Sequence, residues 1–356
     1  MQPIQSNNCQ ICFENSGIQL LNQRIQEKDY ASIFIFVDSN TRQHCLPFFL
    51  EKLTVETRLE ILEMQAGELN KNLTTCETLW NALSEKKADR KSALINLGGG
   101  VVTDLGGFVA ATFKRGIDFY NVPTTLLSMV DASVGGKTGI DLGMLKNQVG
   151  VITDPKMVLI EPDWLQSLPA QEIRSGFAEM LKHGLIAAPA YWDELSKLET
   201  LEPQLLAASI RTSIEIKNQV VTTDPFENGL RKTLNFGHTL GHAIESYFLI
   251  QKDKKTLLHG EAIAVGMVLE AYLSTACCGL PMSDAEHIRN IFSNFYDPVD
   301  FTITDINTLL ELLRHDKKNS HGKINFALLE EIGKPKIDQQ VPAELFKKAF
   351  NFYQGS

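Results

Sequence analysis

The sequence predicts a chain in two parts, an α/β domain over residues 1–162 and a mostly α-helical domain over residues 163–356. Three observations carry this reading. The length, 356 residues, exceeds what one ordinary hydrophobic core serves. Apolar, β-branched runs alternate with helical patterns in the first half, the signature of a parallel sheet. After Pro162 helical periodicity runs almost unbroken.

In order, SIFIFVD (32–38), ALINLG (93–98), IDFYNVP (117–123) and MVLIEP (157–162) read as buried parallel strands. Helical patterns at 54–65 and 76–87 lie between the first pair, and one at 101–113 between the second. The second half shows helical periodicity over 170–187, 190–199, 202–221, 231–249, 260–278, 283–295, 305–316 and 342–353. One short β pattern, KINFALLEEIG (323–333), interrupts it. A cleft between the halves is the expected place for a site.

Composition narrows the function. Hydrophobic residues are 44% and charged residues 22%, as in a soluble globular protein. The net charge of −9, with no basic block, disfavours nucleic acid and anionic membranes as partners. An anionic substrate therefore needs a local cluster of Lys and Arg. No apolar run is long enough to span a bilayer, and the N-terminal stretch lacks the pattern of a secretory signal. Of six cysteines only Cys9 and Cys12 form a C-x2-C, with no second pair. Reduced thiols in a cytoplasmic protein are expected.

Two glycine-rich stretches carry candidate chemistry. In INLGGGVVTDLGGFVAATF (95–113) a strand runs into Gly98-Gly99-Gly100 and then a helix. Glycines admit a ligand close to the backbone, and the helix start offers N–H groups to an anion. Thr103 breaks the G-x-G-x-x-G pattern, so a phosphate-binding turn and a plain tight turn both fit. Asp104 fits a helix-dipole role. The second stretch, DASVGGKTGIDLGMLKNQVG (131–150), ends like a P-loop at Gly136-Lys137-Thr138. Asp131 stands where the P-loop's first glycine is required, which argues against a triphosphate. Lys137, Lys146 and Asn147 remain in what reads as a loop, as solvated side chains or as ligand contacts.

The helical half gathers metal-ligand types. His238, His242 and His259 fall close together in sequence, with Glu245 and Glu261 among them and Glu179, Lys182 and His183 upstream. Zinc takes imidazole nitrogens and carboxylate oxygens. H-E-x-x-H is absent, because Thr239 follows His238. Spacing leaves open which carboxylate would join the histidines. Lys182, Lys217, Arg231, Lys317 and Lys318 fit either an anion site or a solvated face.

These motifs together resemble the 3-dehydroquinate synthase family of the sugar-phosphate cyclases. The resemblance rests on GGGVVTDLGGFVAATFKRGI…VPTTLLSMVDASVGGKTGID…KN (98–147), SGFAEMLKHGLI (175–186), RKTLNFGHTLGHAIE (231–245), LLHGEAIAVGM (257–267) and DKKN (316–319). It implies a Rossmann-like NAD-binding α/β domain, a C-terminal mostly α-helical metal-binding domain, NAD with a divalent ion (zinc first, cobalt second), and a homodimer.

Residue by residue, the resemblance implies Glu179, His238 and His259 as metal ligands, with His242 facing substrate. On the NAD side it implies Asp38, Asn40, Glu68, Lys71, Gly98, Gly99, Gly100, Val101, Asp104, Thr124, Thr125, Asp131, Lys137 and Lys146. Around the substrate it implies Lys137, Asn147, Lys182, Lys217, Arg231, Asn235, His242, Lys317 and Lys318, with Arg115 reaching in from a partner subunit. Thr103 and Ala66 depart from the family pattern, which has glycine and a polar residue there.

The implied reaction, in the shikimate pathway to aromatic amino acids, turns 3-deoxy-D-arabino-heptulosonate 7-phosphate into 3-dehydroquinate and phosphate. Transient oxidation by NAD acidifies a neighbouring proton, phosphate leaves by β-elimination, the hydride returns, the ring opens, and an intramolecular aldol reaction closes the carbocycle. A metal would serve as Lewis acid, and the basic cluster would hold phosphate and carboxylate. Two rivals share the plan. Another sugar-phosphate cyclase, such as a 2-deoxy-scyllo-inosose synthase, uses a substrate without the carboxylate. A metal-dependent polyol dehydrogenase of the glycerol type needs no such cluster.

Overall fold

Ser32–Asp38 is buried along its length up to Asp38, as a strand covered on both faces requires. A computed structural model of the chain describes residues 2–143, 145–251, 253–319 and 324–355, the side chains of 314–319 excepted. They group into two compact units, Met1–Pro169 with Glu202–Asn218, and Ala170–Leu201 with Gln219–Ser356. The expected boundary after Pro162 falls just short of this one, and 202–218, expected with the helical half, clusters with the first unit.

The first unit begins with β1 (Ile4–Ser6), β2 (Cys9–Phe13) and α1 (Glu14–Lys28). There follow β3 (Ser32–Asp38), α2 (Ser39–His44), α3 (Leu46–Lys52), β4 (Leu59–Met64), α4 (Leu73–Glu85), β5 (Ser92–Gly98) and α5 (Gly100–Thr112). It continues through β6 (Asp118–Pro123), β7 (Lys137–Leu142), β8 (Leu145–Ile152) and β9 (Met157–Ile160). Seven strands form one sheet in the order β1-β2-β9-β6-β5-β3-β4, parallel except for the β1–β2 pair. The four expected strands are β3, β5, β6 and β9.

Two expectations fail here. The helix expected over 54–65 is strand β4, paired in parallel with β3 from Ile33↔Leu59 to Asp38↔Met64. Its alternation buries Leu62 and Met64 while Glu63 points outward. The edge position admits Glu60, which pairs with Arg58 and Lys86 at the surface, and these charges imitate a helix face. The second glycine-rich stretch is a hairpin, β7 against β8, rather than a loop. Gly139 sits opposite Gly150, and a Cβ on Gly150 would lie 2.2 Å from Thr138 O. The glycines thus let two backbones close up. Cys9 and Cys12 are free and buried on β2, and burial pushes the Cys9 thiol up to about 12.

The second unit contains α6 (Ala170–Ala187) and α7 (Pro189–Leu195). Helix α8 (Pro203–Thr223) belongs to the first unit as far as Asn218. Then come α9 (His238–Ile250), α10 (His259–Cys277), α11 (Met282–Phe295) and α12 (Ile303–Asn319). The late β pattern becomes a hairpin of β10 (Phe326–Glu331) and β11 (Lys334–Gln339), followed by α13 (Ala343–Gln354). Leu240, Ile244, Leu269, Phe326, Phe346 and Phe350 meet in its apolar core. No helix among the described residues is long and apolar enough to cross a membrane.

Candidate active site

In the first unit the chain leaves β3 toward β4 on one side and leaves β5 toward β6 on the other. Loops that part in this way open a crevice at the carboxyl ends of the strands, where doubly wound sheets take nucleotides. Asp38 ends β3, and Gly98–Gly100 lead from β5 into α5. Asp38 caps α2, accepting the Thr41 N–H at 2.8 Å, and Asn40 is exposed on its first turn. No side chain caps α5. Thr124 N–H donates to Gly98 O at 3.0 Å, and Thr125 packs against Gly99, so both threonines join the turn.

Thr103 is buried, its hydroxyl 3.3 Å and 3.2 Å from the carbonyls of Gly99 and Gly100. The departure from the family pattern is absorbed inside the unit. Where Ala66 lacks a polar side chain, its own N–H donates to Ser39 Oγ at 3.2 Å.

Lys71 is buried and holds this side together. Its Nζ donates to Asp104 Oδ2 and to Asn147 Oδ1, both at 2.6 Å. Burial alone would lower its pKa, but the charges of Asp104 and Glu68 outweigh it and raise it, so Lys71 stays an ammonium. The hairpin is tied to the same lysine, since Asp141 N–H donates to Lys71 O at 2.9 Å and Asn147 N–H to Asp141 Oδ1 at 2.7 Å. Lys146 pairs with Glu68 at 3.2 Å. Lys217 pairs with Asp131 at 2.7 Å. Val101 is half-buried on α5, while Lys137 and Arg115 are exposed. Arg115 follows Lys114 with φ of 69° and 51°, a left-handed pair that costs energy outside glycine.

The second unit brings the histidines together. Ring centroids of His238 and His242 are 5.1 Å apart, of His238 and His259 5.5 Å, and of His242 and His259 5.6 Å. One ligand atom from each lies within 4.8 Å of the others. The carboxylates, left open by spacing, now separate. Glu261 is used as a cap, accepting the Leu258 N–H at 2.9 Å. Glu245 Oε2 stands 3.2 Å from His259 Nδ1. Glu179 Oε1 faces His238 Nε2 at 3.7 Å and His259 Nε2 at 3.8 Å.

The ring protons follow from these partners. His238 Nδ1 lies 3.2 Å from Phe236 O, and a carbonyl can only accept, so Nδ1 carries the proton. The same holds for His259 Nδ1 on the Glu245 carboxylate. Each ring therefore presents its Nε2 to Glu179, and in the neutral form that nitrogen carries the lone pair. Glu179 Oε1 is fully buried and accepts no hydrogen bond from the described residues. A carboxylate oxygen and two imidazole nitrogens, too far apart to bond one another, are donor types that fit a shared cation. Lys182 ion-pairs with the other oxygen, Oε2.

Arg231 and Asn235 lie on the short turn Leu230–Asn235 before α9. Arg231 is buried, donating to Pro225 O at 2.8 Å, and Asn235 donates to Glu227 Oε1 at 2.9 Å. His242 is exposed, one turn along α9 from His238. The side chains of Lys317 and Lys318 lie outside the described residues. Sequence reasoning missed Phe236 O, Asp141 and Glu270, whose carboxyl reaches the start of α9. The φ of 80° at Gly237 marks a forced helix start, and the glycine before His238 was its only trace in the sequence.

Comparison with known proteins adds to this geometry. Family models described as 3-dehydroquinate synthase N-terminal and C-terminal match residues 61–175 and 176–319. The chain is 44% identical over 329 residues to a 3-dehydroquinate synthase from Parabacteroides distasonis, covering 92% of each. It is 41% identical to one from Sulfurovum sp., covering 82% of this chain and 83% of the relative. Its fold is similar to that of a 2-deoxy-scyllo-inosose synthase solved with carbaglucose-6-phosphate, NAD+ and Co2+. There the TM-score is 0.86 and the identity 25%, with 99% of each chain covered.

Proposed function

This chain belongs to the 3-dehydroquinate synthase family, and on that premise we propose that it converts 3-deoxy-D-arabino-heptulosonate 7-phosphate to 3-dehydroquinate and phosphate. The observation that carries the reading is the 44% identity across 92% of the chain to a synthase of that name. The structurally similar inosose synthase stands at 25%. The buried Glu179 oxygen facing two imidazole Nε2 atoms supports the same chemistry.

When bound, NAD supplies a reversible hydride acceptor, and a zinc or cobalt ion supplies a Lewis acid for a hydroxyl oxygen. Glu179, His238 and His259 are proposed to hold the ion. His242, exposed beside them, is proposed to exchange a proton with a substrate oxygen. Lys137, Asn147, Lys182, Lys217, Arg231 and Asn235 are each proposed to contact the phosphate or the carboxylate. Asp38, Gly98–Gly100, Asp104, Thr124 and Thr125 are proposed to line the dinucleotide, with Lys71 ordering the turn and hairpin. The protein is proposed to act as a cytoplasmic homodimer, with Arg115 serving the partner subunit.

Turnover of the heptulosonate phosphate with substoichiometric NAD tests this. One phosphate per carbocycle, no net NADH and loss of activity with a chelator are expected. Net NADH from glycerol without phosphate release, and no turnover of the heptulosonate, would overturn the reading.

A further inference from the structure

The two histidines facing Glu179 share a placement. His238 is the first residue of α9 and His259 the first of α10. The first N–H groups of a helix have no partner within it, and an acceptor must be found for them. For α9 the residue before the helix is Gly237, which has no side chain to offer and a φ of 80°. The acceptor comes instead from the neighbouring helix. Glu270, in the body of α10, has no exposed surface. Its Oε2 accepts the Gly237 N–H at 2.7 Å, and its Oε1 accepts the Leu240 N–H at 3.1 Å. These bonds grip the backbone on both sides of His238 without using its ring.

The grip needs a close crossing of the two helices. Gly266, one turn before Glu270, allows it: a Cβ there would lie 2.0 Å from Gly237 O. The start of α10 is held in a similar way, because Gly260 N–H donates to Ser175 Oγ of α6 at 3.0 Å. Glu270 is a costly residue to keep. Burial pushes its pKa up to about 8, against the pull of backbone N–H groups from Leu240, Gly237 and Thr239.

We infer that Glu270 is a positioning residue of the metal centre, an acceptor from α10 that caps α9 and thereby aims His238 Nε2. The inference rests on the ligand set Glu179, His238 and His259 proposed above. It concerns the aim of one ligand, so its mark is metal affinity and geometry.

The test is the dissociation constant for Zn2+, from competition with a chelator, and the visible spectrum of the Co2+ form. Glu270→Gln replaces one acceptor oxygen by a donor. It is expected to weaken binding about 10- to 100-fold, the range for groups that orient a ligand, and to shift the Co2+ bands. Ser274→Ala removes a hydroxyl that bonds Glu270 O at 2.6 Å and accepts Leu329 N–H at 2.9 Å. It disturbs the same helix and is expected to leave affinity and spectrum unchanged. A folded Glu270→Gln protein with native affinity and spectrum, where His238→Ala has lost the metal, defeats the inference and spares the ligand set. Native affinity in His238→Ala defeats both. Should Glu270→Gln not fold, amide exchange in the unaltered chain decides. Metal is expected to slow exchange at Gly237 and Leu240, and no change there overturns the inference.

Discussion

His259 Nδ1 donates to Glu245 Oε2 across 3.2 Å, and this bond determines which nitrogen of His259 is left to face Glu179. Glu245→Ala removes the acceptor and frees the ring to turn. Metal affinity is expected to fall about 10- to 100-fold with the fold intact, measured by chelator competition alongside circular dichroism. Unchanged affinity would show that the ring is held by something else.

His238 and His242 lie one turn apart but are proposed to do different work. His238→Ala is expected to purify without metal and to lose nearly all turnover. His242→Ala is expected to keep its metal and lose activity about 100-fold or more, as for loss of a proton-transfer group. Metal content of both variants separates the roles, and equal loss in the two would return His242 to the ligand set.

Lys71 sits in the first unit with Asp104 and Asn147 as its partners. Lys71→Met strands a half-buried carboxylate and is expected to destabilise the protein by about 2–3 kcal/mol and weaken NAD binding. Adding Asp104→Asn should restore much of the stability while NAD binding stays weak. Denaturant melts and NAD titrations of the single and double variants check both halves of this expectation.

Asp305, at the start of α12, accepts from Lys254 Nζ at 2.5 Å, from the Tyr247 hydroxyl, and from Thr302 N–H at 2.8 Å. Burial on its own would raise the carboxyl, but these hydrogen bonds outweigh it and hold the group well below the usual carboxylate range. Unfolded, it would take up a proton near pH 3.9. Its contribution is therefore complete above that pH and is lost as the pH falls toward its folded pKa. Asp305→Asn is expected to cost about 2 kcal/mol at pH 7, with the gap to the unaltered protein narrowing below about pH 4. Melts across that range decide it, and a gap that does not narrow on acidification would count against the charge.

The parts legible in the sequence were those where one residue pattern has one physical meaning. β3 and β5 are almost wholly apolar because helices and strands bury both faces, and no exposed helix reads that way. The long helices of the second unit repeat their apolar face often enough to be seen. β4 was hidden by the charges an edge strand tolerates. The β7–β8 hairpin was hidden by glycines that look like a loop and act as a place for two backbones to meet. At the site, the histidines were visible as residue types. What tells their nitrogens apart was not, because Phe236 O is a backbone atom and Glu245 and Glu270 reach the helix starts from other turns and another helix. Spacing along the chain does not encode such a meeting.

The helices that carry His238 and His259 are gripped at their first turns by Glu270 and Ser175. In the peptide that joins them, Leu258 bonds to the first turn of α10, its N–H donating to Glu261 and its carbonyl accepting from Ala262 N–H, so Leu258 goes with that helix. Chain continuity just before Leu258 is expected to be dispensable for holding the two histidines. A circular permutant with new termini at residues 255–257 would keep both imidazoles in register, and an enzyme cut at that point would remain assembled around its ligands.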